Sequence, residues 1–308
     1  MQPDLICLGE PLIEFNQTQR GEPTYLMGFG GDTSNCAIAA ARQGASVGYL
    51  TALGQDSFGD AFVRLWDAEG VDYSHVMRLP DAATGIYFVS HGPSGHEFAY
   101  IRKGSAASRF APADLPEDYI AKARILHISG ISEAISETAC DTVLRAVEIA
   151  RAGGTLVSFD TNLRLRLWPL PRARAVIEAT ARMADIVLPA LDDARALTGL
   201  DEPAAIADHY LRGGAQIVAL TLGRDGVLVA TAERREHIPP HSVDVVDATG
   251  AGDAFDGAFL ADYLRDADPF AAARWGNAAA ALAVSGFGAV APLPDRAAVA
   301  QLLNVAGG

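Results

Sequence analysis

The chain has 308 residues, 50% of them hydrophobic, 7% aromatic and 20% charged. That is enough apolar sequence for a full-sized core and excludes an intrinsically disordered or small disulfide-stapled protein. Acidic residues outnumber basic ones by 38 to 24, a formal charge of −14, which argues against a grip on nucleic-acid backbone or an anionic membrane surface.

Cys7, Cys36 and Cys140 stand far apart, with no CxxC spacing, and read as reduced thiols of a cytoplasmic protein. The opening Met-Gln-Pro-Asp supplies no basic region ahead of the short apolar run Leu5–Leu8, so no export signal is expected. The longest apolar stretch, Ala278 to Ala291, is interrupted by Ser285, Gly286 and Gly288 and is too short for a membrane span.

In chain order, apolar or β-branched runs at Leu5–Leu8, Val47–Leu53, Ile125–Ser129, Thr155–Phe159, Ile186–Leu188 and Ile217–Leu220 predict strands. Alanine-rich segments of helical period at 33–43, 56–69, 133–152, 172–183, 192–198 and 203–213 predict the intervening helices. Strands alternating with helices imply an α/β fold, doubly wound, its mostly parallel sheet covered by helices on both faces. Residues 11–31 and 84–102 break the rhythm with extended aromatic segments, the second folded back at His91-Gly92-Pro93-Ser94-Gly95. They predict a small antiparallel β lobe, a lid or an edge-covering flap, inserted in one domain spanning 1–308. Its exposed edge could pair with a second copy of the chain. Farther on, Arg224-Asp225-Gly226 turns into a strand at Val227–Ala230, a third strand lies near 234–238, and two helices follow 245–253, with Asp268 the N-cap before Pro269.

Two glycine clusters carry the chemistry. In Asp247-Ala248-Thr249-Gly250-Ala251-Gly252-Asp253 a loop of small residues feeds a helix whose Phe255, Phe259 and Tyr263 fall four apart. The amides of Gly250, Ala251 and Gly252 are then free donors at the positive end of a helix dipole, where an anion binds. Asp253 is either a favourable first-turn acid or a general base that takes a proton from a hydroxyl attacking phosphorus. In the earlier cluster, Gly30-Gly31-Asp32-Thr33-Ser34-Asn35, Asp32 is either an N-cap or, with Asn35, a polar pair directed at ligand hydroxyls. Neither cluster is a Walker-type or dinucleotide-binding loop.

Together these two segments resemble the paired signatures of the ribokinase-like (PfkB) carbohydrate kinases, and the strand and helix order between them matches along essentially the whole chain. The resemblance implies phosphoryl transfer from ATP to a sugar hydroxyl, with Asp253 as base and Gly250–Gly252 as anion hole. Thr221, Gly223, Gly226, Thr249 and Asn277 would line the nucleotide site. Asp247, Thr249, Ala283, Gly286 and Gly288 occupy the positions where many family members hold a monovalent cation such as potassium. Where many relatives carry Asn-x-x-Glu for water-mediated magnesium binding, this chain has Ala190-Leu191-Asp192-Asp193. Asp193 then either replaces the glutamate or is only a first-turn acid.

Within the family, Gly30-Gly31-Asp32-Thr33, Tyr100-Ile101-Arg102 and the stretch from Phe159 to Trp168 resemble kinases of 2-dehydro-3-deoxygluconate. That likeness implies a sugar-acid substrate contacted by Gly30, Gly31, Asp32, Asn35, Tyr87, Tyr100, Arg102 and Arg164. A neutral-sugar kinase of the fructokinase or ribokinase type and a non-catalytic sugar or nucleotide sensor are the alternatives. Two anionic substrates in an acidic protein require local positive charge, from helix N-termini, magnesium, Arg102, Arg164 and Lys103 or Arg166.

Overall fold

The structure, a computed structural model, describes residues 2–92 and 95–306. In chain order it contains β1 (Leu5–Leu8), β2 (Leu12–Gln17), β3 (Tyr25–Gly30), α1 (Asp32–Arg42), β4 (Val47–Leu50), β5 (Ala52–Gly54), α2 (Ser57–Glu69), β6 (Met77–Leu79), β7 (Gly85–Gly92) and β8 (Gly95–Ile101). There follow α3 (Glu117–Ala121), β9 (Ile125–Ser129), α4 (Gly130–Ala134), α5 (Glu137–Gly153), β10 (Leu156–Asp160), α6 (Leu170–Ala181), β11 (Ile186–Leu188), α7 (Leu191–Thr198), α8 (Pro203–Gly213) and β12 (Ile217–Thr221). The chain ends with β13 (Val227–Ala230), β14 (Arg235–Ile238), α9 (Ala251–Asp266), α10 (Pro269–Ala283) and α11 (Arg296–Ala306).

Apolar runs without polar alternation become strands buried on both faces. In β1, Leu5 and Cys7 enter one core layer, with residues of α1, α2, α9 and α10, while Ile6 and Leu8 enter the other, with residues of α5, α6, α7 and α8. The eight-stranded sheet has the order β14-β13-β12-β11-β10-β9-β1-β4. It is parallel from β12 to β4; β13 alone runs against the other strands, pairing antiparallel with β12 on one side and β14 on the other. The chain winds from β1 first to β4 on one side and later to β9 on the other, so a switch point opens beside the carboxyl end of β1, where open α/β sheets bind ligands.

The second sheet has the order β3-β2-β7-β8. Its β2 and β7 are parallel, so the lobe is mixed rather than antiparallel as the sequence predicts: the two segments arrive from opposite sides of the α1–α2 excursion, and each contributes its own hairpin. The pairing of β7 with β8 places Gly92 opposite Gly95, while Pro93 and Ser94 of the predicted turn lie outside the described residues. One face of the lobe, with Ile13, Phe15, Phe29 and Ile86, packs on the first core layer. The other face carries Leu12, Tyr87, Val89 and Phe98.

Further differences from the sequence reading have local causes. The run Val47–Leu53 divides at Thr51: β4 stays in the main sheet, and β5 leaves it to pair with the unpredicted β6. The predicted helix 133–152 is two helices, because Ser136 adopts an extended conformation and caps α5 by accepting from the Ala139 amide at 2.9 Å. Asp268 caps α10 as predicted, accepting from the amides of Phe270 and Ala271. Cys7 and Cys36 are buried, Cys140 is half-buried, and all three are free thiols. Among the described residues no helix is long and apolar enough to cross a membrane.

Candidate active site

A cleft of about 810 Å³ opens between the lobe and the carboxyl ends of the main strands. From the first glycine cluster and the lobe it is lined by Gly31, Asp32, Asn35, Tyr87, Tyr100 and Arg102. Arg164 enters after β10, Asp193 from α7, Thr221, Gly223 and Gly226 around the end of β12, and Asn277 from α10. Thr249, Gly250, Ala251, Gly252 and Asp253 close it at the start of α9. Gly30, Asp247, Ala283, Gly286 and Gly288 do not line it. Gly30 sits directly under Tyr87, where an added Cβ would come within 2.5 Å of the phenol oxygen.

Gly250 precedes α9 in the left-handed region, at φ 77°, and the turn it makes aims the first amides of the helix into the cleft. The Ala251 amide, expected to be free, instead donates to the Ala248 carbonyl at 3.3 Å across the turn; those of Gly252 and Asp253 have no intrahelical acceptor, and a Cβ on Gly252 would meet nothing within 4 Å. Open space over free amides at a helix N-terminus suits an incoming phosphate. The Asp253 carboxylate accepts a hydrogen bond from Asn35 Nδ2 at 2.7 Å. Its pKa is pushed up to about 7, first by burial and then by the nearby charge of Asp32, against the opposing pull of the Asn35 bond and Arg164.

Asp32 is the first residue of α1 and not its N-cap, which is Gly31 at φ 101°. A Cβ on Gly31 would press to 2.4 Å from the Glu10 carbonyl. The Asp32 carboxylate instead accepts from Ser129 Oγ, at the end of β9, and from Asn162 Nδ2 at 3.3 Å. Asn162, held at a left-handed φ of 23°, also donates through its amide and Nδ2 to both oxygens of Asp160. Burial, with the charges of Asp32 and Asp253, raises the Asp160 carboxyl well above the usual range. Buried Asp256, one turn along α9 from Asp253, is raised similarly by burial and by Asp160.

The cations are placed unequally. Arg102 pairs with fully buried Glu10, its Nε donating to Oε2 at 2.7 Å, while Ser105 Oγ donates to Oε1 at 2.5 Å. Arg164 is half-exposed, donates to its neighbour's carbonyl at Leu163 and lies 3.7 Å from Asp193. Arg166 also lines the cleft and reaches across to the Phe98 carbonyl of β8 at 3.1 Å. Tyr87 and Tyr100 stack with ring centroids 5.6 Å apart.

Asp193 is in the first turn of α7, and its carboxylate accepts from the Leu163 amide at 3.0 Å. Burial raises its pKa, against the pull of Arg164. Behind the α9 turn, buried Asp247 accepts from the Thr249 amide and hydroxyl and, through its other oxygen, from the Gly288 amide at 3.1 Å. It thereby ties the loop before α9 to the loop after α10, whose Gly286 amide bonds the Ala283 carbonyl.

Residues 2–296 match the pfkB family carbohydrate kinase. The chain belongs to that family. It is therefore a sugar kinase. The 2-dehydro-3-deoxygluconokinase of Bacillus subtilis (strain 168) is 34% identical over 99% of this chain and 96% of its own, and that of Thermoproteus tenax is 36% identical over 97% and 94%. Fructokinase-1 of Oryza sativa subsp. japonica is 33% identical over 98% of each chain. Among solved structures, a putative ribokinase II from E. coli in complex with ATP and Mg2+ superposes with TM-score 0.91 at 26% identity, covering 98% of this chain and 99% of that one. A fructokinase double mutant from Vibrio cholerae O395, with fructose, ADP and potassium bound, gives 0.87 at 27% identity, covering 98% and 99%.

Several residues that line the cleft escape the sequence reading. Glu10, Leu12, Phe98, Ile131, Asp160 and Asn162 all line it. Asp160 and Asn162 lie inside the quoted stretch from Phe159 to Trp168 without having been singled out, and their position just past an apolar strand is the available signal. Glu10 stands between Gly9 and Pro11 with no local pattern to mark it.

Proposed function

We propose that the kinase transfers the γ-phosphoryl group of ATP to the 6-hydroxyl of 2-dehydro-3-deoxy-D-gluconate. The observation that carries this reading is the pairing of Asp253, its pKa near neutrality, with the free first-turn amides of its own helix. Asp253 takes the proton of the attacking hydroxyl while that oxygen forms its bond to the γ-phosphorus. The bond from phosphorus to the β–γ bridging oxygen breaks, and ADP leaves with the electron pair. The amides of Gly252 and Asp253 face the charge on the transferring group, where fixed dipoles in a dry site are most effective. Asn35 orients the base, and Asp32, fixed by Ser129 and Asn162, meets sugar hydroxyls. Thr221, Gly223, Gly226, Thr249 and Asn277 form the nucleotide end of the cleft.

Magnesium fits the donor set, because carboxylates on the cleft wall, Asp193 first, are the hard oxygen ligands that it takes together with water and phosphate. When bound it neutralises charge on the phosphates. Asp247, Thr249, Ala283, Gly286 and Gly288 are the residues proposed for a monovalent cation, and their loops are already drawn together by Asp247.

The sugar-acid assignment rests on Arg164, with Arg166 beside it, as a guanidinium for the substrate carboxylate, and on the names of the two kinases at 34% and 36% identity. One observation favours a neutral ketose instead: Glu10 has neutralised Arg102, and the remaining cleft wall is rich in carboxylates. A panel of 2-dehydro-3-deoxygluconate, fructose and ribose with ATP and magnesium, read by mass spectrometry of the product, decides. Phosphorylation of the sugar acid in preference to the neutral sugars is expected, and turnover confined to fructose or ribose would reject the assignment.

A further inference from the structure

We propose that Glu14 sets the polarity of the Tyr87 subsite: it holds the phenol proton, so that the Tyr87 oxygen accepts a hydrogen bond from a substrate hydroxyl and cannot receive the substrate carboxylate. The inference rests on reading the cleft as the sugar site and assigns one wall of it a chemistry.

Glu14 lies in the middle of β2, in register with Gly28 of β3 on one side and Tyr87 of β7 on the other. It is 3% exposed, on the face that also carries the apolar cluster of Leu12, Tyr87, Val89 and Phe98. A carboxylate in such surroundings is costly unless hydrogen-bonded. Tyr87 meets that need, its hydroxyl donating to Oε2 at 2.5 Å. Burial, followed by the charge of Glu14, raises the phenol pKa far above its ordinary value, so the proton stays on the tyrosine and points at the glutamate. A phenol has one proton. With that proton committed, only lone pairs remain to face the cleft that Tyr87 lines.

The seat is built for this pair. Gly30 leaves room for the phenol oxygen, and Oε1 of Glu14 lies 3.4 Å and 3.6 Å from the Cβ positions of Gly28 and Gly288. Stacking on Tyr100 and Phe98, at 5.6 Å and 6.4 Å between centroids, fixes the ring. A ligand carboxylate or phosphate offers only acceptor oxygens and would meet lone pairs at Tyr87, whereas a sugar hydroxyl donates. The anionic end of the substrate is thereby directed away from Tyr87, toward Arg164.

The test is calorimetric binding of the preferred sugar and its mono-deoxy analogues to the full-length protein, wild type and variants. One deoxy analogue should bind wild type about 3- to 10-fold more weakly. That penalty should vanish in Tyr87→Phe and in Glu14→Met, persist in Glu14→Gln, which keeps an acceptor oxygen, and show no further change when Glu14→Met is added to Tyr87→Phe. Retention of the full wild-type penalty in folded Glu14→Met, or equal binding of all the analogues by wild type, would overturn the proposal. A ligand-free readout runs in parallel: the Raman Fermi doublet of Tyr87, taken as wild type minus Tyr87→Phe, should report a donating phenol, and an accepting or unbonded signature refutes it. Because neither readout needs turnover, a wild type that phosphorylates only fructose or ribose would end the sugar-acid assignment, while the analogue penalty and the Raman signature would still decide this proposal.

Discussion

Replacing Asn35 by leucine should move the acidic limb of the pH–rate profile upward. Asn35 Nδ2 donates to the Asp253 carboxylate at 2.7 Å, a bond that favours the charged form of the proposed base, whose pKa is pushed up to about 7. A hydrogen bond to a charged group contributes about 1.5–3 kcal/mol. At about 1.36 kcal/mol per pKa unit, its loss raises the Asp253 pKa by roughly 1–2 units. Leucine keeps the volume and excludes a replacement water. The base works only when deprotonated, so kcat/KM of wild type rises with pH and levels off above about 7. The Asn35→Leu variant should be depressed roughly 5- to 50-fold at neutral pH and recover toward its own plateau near pH 9. Asp32→Asn removes a charge that raises the same pKa and should move the limb the other way. Full pH profiles of kcat/KM for the three proteins measure both shifts. A limb unmoved in both variants would refute the assignment of that ionisation to Asp253.

Arg164→Ala should lower kcat/KM for a sugar acid by about 10- to 150-fold, the loss of a charge-assisted bond, and leave fructose turnover nearly unchanged in the same coupled assay. Gly252→Ala should lower kcat/KM because its methyl group enters the space above the free amides, while thermal stability holds or rises by up to about 1 kcal/mol. Gly31→Ala, at φ 101° and against the Glu10 carbonyl, should cost about 1–3 kcal/mol in denaturant unfolding. Buried Glu133 accepts from Thr180 Oγ1, has no partner for Oε2 and has its pKa pushed up to about 8 by burial. Its folded pKa exceeds the unfolded 4.5, so its neutral form is favoured by the fold, and wild type should lose stability relative to Glu133→Gln between those pH values, by up to about 5 kcal/mol. Parallel melting-temperature curves for the two proteins across that range would contradict this.

The apolar strands were legible because a buried parallel strand needs an uninterrupted apolar run: Leu5–Leu8, Ile125–Ser129 and Ile186–Leu188 have the same bounds in sequence and structure. The α9 turn was legible because Gly250 and Gly252 leave a chemical signature before an amphipathic segment. Pairing partners were not. The parallel register of β2 with β7 and the departure of β5 toward β6 depend on contacts between distant segments, which no local period encodes. The same holds for the site: Glu10 and Glu14 look like solvated charges along the chain, and only the pairing of β2 with β7 and the return of the chain after β8 bring Tyr87 to Glu14 and Arg102 to Glu10. Arg102 shows the converse, a cation whose pairing partner lies 92 residues away.

The central claim is that Asp253 is the base of a phosphoryl transfer to sugar. The most direct measurement is turnover by Asp253→Asn with ATP, magnesium and the preferred sugar, together with ATP affinity by calorimetry. The account predicts a fall in kcat of about 10²- to 10⁴-fold with ATP binding largely retained. Near-normal turnover in that variant would contradict it.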